Sequence, residues 1–72
     1  MNNKYVVGDF GYFDFSIRKK DKYDNFQTTY YQLWATVTQV EERNIEIVDN
    51  DGFPYIITKR RIKVYNKENV NK

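Results

Sequence analysis

The stretch Gln32–Tyr55, QLWATVTQVEERNIEIVDNDGFPY, decides the fold, because it reads as two complete turns between three short strands. Leu33, Ala35 and Val37 alternate with Trp34, Thr36 and Thr38, the period of two that sends successive side chains to opposite faces of a strand. The pattern breaks at Glu41-Glu42-Arg43-Asn44 and resumes at Ile45-Glu46-Ile47, which is a hairpin signal. A second turn follows at Asp49-Asn50-Asp51-Gly52, whose Asn, Asp and Gly tolerate the positive φ of tight hairpin turns. Phe53 to Thr58 opens a third strand, and Pro54, with no N–H to donate, belongs at a strand start or an edge. A turn is the preferred reading over a calcium loop here, because Ile47 stands where the first oxygen ligand belongs, and Thr58 where a bidentate Glu should close the site.

Working outward, Gly8-Asp9 suits a bend, and Phe10 to Ile17 reads as a strand with Phe13, Phe15 and Ile17 on one face. Those three are the core partners of Leu33, Ala35 and Val37, which leaves Tyr12, Asp14 and Ser16 nearer solvent. The charged run Arg18 to Asn25 has neither helical nor strand periodicity and reads as an exposed loop, with Phe26 tucking back after it. One long strand then runs from about Thr29 to Val40. Such a strand bends, and in small barrels it is shared by both halves of the sheet. On the far side, Lys59-Arg60-Arg61 reads as a closing turn before a last strand, Ile62 to Tyr65, whose Ile62 and Val64 return to the core. Residues 1–4 read as frayed and the polar tail from Asn66 to Lys72 as disordered. The expectation is an all-β fold, a five-stranded, partly open small barrel in one domain spanning 1–72.

A chain of 72 residues allows one domain, with a stability of roughly 3–5 kcal/mol. It has no cysteine and no histidine, so disulfides, cysteine-rich zinc sites and histidine-based acid–base chemistry are excluded by inventory. Ser16 is the only serine and has no such base to activate it. Neither a cofactor, a metal nor a catalytic set is expected. No apolar run approaches the roughly 20 residues that span a bilayer, and MNNKYVVGDF lacks the apolar core of a signal peptide, so the expected location is cytoplasmic without membrane partners. The abundance of Asn, Lys, Tyr and Ile is what AT-rich coding produces, compatible with a bacterial, phage or mobile-element source.

Taken together, the Gly8-Asp9 opening, the Trp34-Ala35-x-Val37 strand, Ile45-x-Ile47, the Asp49–Gly52 turn, Tyr55-x-Ile57 and Arg61-Ile62 resemble the Tudor and related SH3-like small barrels over roughly Val6 to Tyr65. Tudor domains that bind methylated Lys or Arg use an aromatic cage, and the resemblance implies Trp34, Phe53 and Tyr55 as its candidate members here.

Two function classes follow from the surface residues. Tyr12, Trp34, Phe53 and Tyr55 are candidate anchors for a protein partner, since aromatic side chains are enriched in interface hot spots. The cations Arg18, Lys19, Lys20, Lys59, Arg60, Arg61 and Lys63, interleaved with aromatic residues, are the alternative: phosphate and base contacts of a nucleic-acid binder. The net charge is only +2, with a pI of about 8.9, which permits nucleic-acid contact without building a strong field. The preferred reading is a non-catalytic protein-interaction module that modulates a partner, including a phage or mobile-element inhibitor of a host complex. An open edge strand adds the prospect of a homodimer or of strand addition.

Overall fold

The structure, a computed structural model, describes residues 5–68; the ends expected to fray at 1–4 and beyond 68 lie outside it. Five antiparallel strands form one sheet: β1 (Phe10–Lys20), β2 (Phe26–Val40), β3 (Asn44–Asp49), β4 (Pro54–Thr58) and β5 (Ile62–Lys67), with a short 3₁₀ turn at Lys59–Arg61 before β5. The strand order is β4-β3-β2-β1-β5. Among the described residues β4 and β5 each have one neighbour, so the sheet is open and barrel closure is not part of what it displays.

The core is the inward alternation of four strands. Phe13 and Phe15 from β1, Ala35 and Val37 from β2, Ile45 and Ile47 from β3 and Ile57 from β4 are all buried. Each large side chain among them stabilises the fold by about 1.5–3 kcal/mol. The sheet curls over this set, for Phe15 of β1 meets Tyr31 of β2 at 5.2 Å and Tyr55 of β4 at 5.7 Å between ring centroids. A bulge in β2 helps it bend: Val37 pairs with Ile47 but Gln39 pairs with Glu46, leaving Thr38 as the extra residue. The Thr38 hydroxyl donates to the Glu46 carbonyl at 3.2 Å. The two glycines expected at bends adopt positive φ, +97° at Gly8 and +84° at Gly52.

Three local expectations are corrected. The run Arg18 to Asn25 is a loop only over Asp21 to Asn25, because β1 continues to Lys20 and β2 begins at Phe26, in unbroken register down to the Lys20–Phe26 pair. The turn itself is held by Asp21, whose carboxylate accepts from the Tyr23 and Asn25 amides at 2.8 and 3.0 Å. The strand extension carries charge on both faces because it projects beyond the core as an arm, so no apolar alternation marks it. At the other end, Asn66 and Lys67 belong to β5, and the Glu68 amide donates to the Phe10 carbonyl at 2.8 Å. Within β5, Val64 faces outward while Tyr65 turns inward and stacks on Phe13 at 4.6 Å. The cause is a register shift: Tyr65 pairs with Phe13, Val64 with Asp14, and then Ile62 with Phe15, so Lys63 is the extra residue and parity changes across it.

The Tyr65 hydroxyl is buried and without a hydrogen-bond partner among the described residues, as is one carboxylate oxygen of Asp9. Burial, with the Asp9 charge and Tyr5 nearby, pushes the ionisation of Tyr65 above the usual tyrosine value. Above pH about 10 the unfolded chain therefore releases this proton first, the folded state holds more protons, and stability falls as pH rises towards the folded value. Tyr65→Phe keeps the ring and removes the unpaired group. Urea melts should show stability unchanged or raised by up to about 1 kcal/mol at neutral pH, with a shallower alkaline loss; a marked loss at neutral pH would reveal a hydrogen bond to that hydroxyl.

Candidate functional site

The four candidate aromatic anchors fall on two surfaces. Tyr12 and Trp34 are opposite each other on β1 and β2, on the face away from the core. Trp34 stacks on Phe10 at 5.5 Å and meets the edge of Tyr12 at 5.7 Å. Phe53 and Tyr55 instead belong to the turn between β3 and β4 and to β4. Tyr55 pairs with Ile47, a core residue, and so points to the inner face. It meets Phe53 at 5.0 Å and Tyr31 at 5.4 Å. The structure thus separates Trp34 from Phe53 and Tyr55 and supplies Tyr31 in its place. Tyr31 was legible, being two residues before Leu33 on the same face, but its neighbourhood became apparent only once β4 curled back to it.

The Asp49 side chain organises this second surface. One carboxylate oxygen accepts from the amides of Asp51 and Phe53, both at 2.9 Å, and the other accepts from the Tyr55 hydroxyl at 3.4 Å. Burial first, then the Asp49 charge and hydrogen bond, holds Tyr55 ionisation above its usual value, so the phenol stays a neutral donor. Between this turn and the arm lies a groove of about 350 Å³, lined by Glu46, Phe53, Pro54, Tyr55 and Ile56 on one side and by Ile17, Lys19 and Tyr31 on the other. Phe53 is 58% and Ile56 68% exposed.

Beside the groove runs the free edge of β4. The Asp49 amide donates to the Phe53 carbonyl at 3.0 Å and the Lys59 amide to the Arg43 carbonyl at 2.8 Å. In an antiparallel ladder hydrogen-bonded pairs alternate with non-bonded ones, which turns the amides of Tyr55 and Ile57 towards β3 and those of Ile56 and Thr58 away from the sheet. Pro54 occupies the remaining outward position, where its missing N–H costs no ladder bond.

The seven candidate phosphate-binding cations do not form one site. The Arg18 guanidinium lies over the Phe26 ring at 4.2 Å, with the Lys20 ammonium 5.8 Å from the same centroid. Lys19, one residue out of phase, lines the groove. Arg61 and Lys63 share a hollow with Asp14, Ser16, Tyr30 and Gln32. Lys59 and Arg60 line another with Arg43 and Thr58. Among the described residues no cluster of acidic side chains could hold a metal ion, and no helix is long and apolar enough to cross a membrane. No family model matches the chain, and neither a curated protein nor a solved structure matches it.

Proposed function

We propose that the chain is a non-catalytic protein-interaction module of SH3-like, Tudor-like barrel architecture that takes an extended segment of a protein partner into the groove between β4 and the β1–β2 arm. The architecture is supported by the meander order β4-β3-β2-β1-β5, by the 3₁₀ turn linking β4 to β5, and by the contact of Phe15 with Tyr55 across the open side. The observation that carries the function is the free edge of β4 with exposed Phe53 and Ile56 beside an aromatic groove. Strand addition uses both features: main-chain bonds to the edge give affinity, and pockets for alternate side chains give specificity. Ile56 offers its outward N–H and C=O, and Tyr31, Tyr55 and Ile17 form the apolar floor. Holding a partner's segment without chemistry is also how such a module modulates or inhibits a complex. Tyr12 and Trp34 then form a separate surface.

Panning a random peptide display library against the wild type, with counter-selection on Phe53→Asp/Ile56→Asp, tests this reading. The expected result is peptides with alternating apolar positions whose affinity falls about ten-fold or more in Phe53→Ala or Ile56→Ala, both exposed sites at which folding survives. Peptides that bind the double variant equally well would sink it. So would a wild-type dimer in sedimentation that Ile56→Asp splits, because a second copy would then be the occupant of the edge.

A further inference from the structure

On the face of β2 opposite the core, an aromatic side chain recurs at every fourth residue. Phe26, Tyr30 and Trp34 are paired with Lys20, Ser16 and Tyr12 of β1. They are 57%, 71% and 46% exposed. At a strand rise of about 3.3 Å per residue, successive rings stand about 13 Å apart. Cations are interleaved with them. Arg18 and Lys20 flank Phe26, and Arg61 and Lys63 approach Tyr30 from the β5 side, in a hollow that also holds Ser16 and Gln32. Lys20 is paired with Asp24 at 3.6 Å, but Arg18, Arg61 and Lys63 have no ion pair among the described residues. Asp14, the carboxylate in that hollow, already accepts from the Gln32 side-chain amide at 3.3 Å.

We propose that this face binds a single strand of nucleic acid, with bases stacking on Tyr30 and Trp34 and phosphates meeting Arg18, Arg61 and Lys63. The inference is independent of the groove, which opens on the other side of the β1–β2 arm. Exposed rings in a row offer stacking surfaces that an unpaired base can use and a duplex cannot, because its bases are already stacked. The unpaired cations supply the charge complementarity that a phosphate backbone needs and that a mixed-charge protein surface does not. Trp34 is held by Phe10 and Tyr12, so little rotamer freedom is lost when a base lands on it.

Trp34 is the only tryptophan in the chain, so its fluorescence reports contact at the proposed surface. Titration with short oligothymidylate and oligouridylate should quench it and raise the anisotropy of the labelled strand, more strongly than a duplex of equal length does. Tyr30→Ala should weaken binding about ten-fold or more. Arg61→Gln/Lys63→Gln should flatten the slope of log affinity against log salt by about two. Phe53→Asp/Ile56→Asp should leave all three readouts unchanged, which separates this surface from the groove. Absence of quenching and of an anisotropy change at low salt with both strands overturns the proposal. So does binding that is equal for duplex and single strand and indifferent to Tyr30→Ala, since that is diffuse charge attraction.

Discussion

Ala35→Asp should leave the chain unfolded at room temperature. Ala35 is fully buried, pairs with Gly11 on one side and stands opposite Asp49 on the other. A carboxylate there is desolvated and meets a like charge across the ladder, a penalty of several kcal/mol. A domain of this size has roughly 3–5 kcal/mol to lose. Thr36→Asp, one residue on, points to the opposite face between Phe10 and Val48 and should cost about 1 kcal/mol. Circular-dichroism melts of the pair check the register. Two equally damaged variants would mean that β2 is displaced by one residue.

The second large effect is expected at Gly11. A methyl group built on its Cα would lie 2.5 Å from the Asn66 carbonyl oxygen, 2.8 Å from the Tyr65 ring and 3.0 Å from the Lys67 Cα. Two of these neighbours are backbone and cannot rotate away, so Gly11→Ala must push β5 off β1. The cost should be about 1–3 kcal/mol, the range for overpacking, with the loss of protection concentrated in β5. Denaturant titration measures it, and a wild-type midpoint would show that β5 lies further from β1 than the structure has it.

The two large effects also mark what the residues disclosed and what they did not. Alternation placed Phe13, Phe15, Ala35, Val37, Ile45 and Ile47 inside, because one face of each strand is apolar and a period of two has a single inward solution. It failed where parity changes. Lys63 bulges out of β5 and exchanges Val64 for Tyr65, and nothing in Ile62-Lys63-Val64-Tyr65 marks that extra residue. Gly11 was silent for a different reason: its role depends on β5 crossing beside it, a contact between residues more than fifty positions apart. The arm was misread because strand pairing between Arg18–Lys20 and Phe26–Thr28 has no core beneath it and hence no hydrophobic pattern. Among the candidate anchors, alternation put Tyr12 nearer solvent and Trp34 on the face opposite Leu33 and Ala35, where both stand, but it left open how exposed Trp34 is. Their separation from Phe53 and Tyr55 follows from the curl of the sheet, which sequence spacing does not encode.

Amide hydrogen exchange on the free protein and on its complex with a groove-selected peptide bears on the proposed binding mode itself. The Ile56 and Thr58 amides, which point away from β3, should exchange quickly in the free protein and slow by at least about ten-fold when the peptide is bound, while the Tyr55 and Ile57 amides, already committed to β3, change little. Protection that appears on β5 or on the outer face of β2, with Ile56 and Thr58 unaffected, would contradict strand addition at β4.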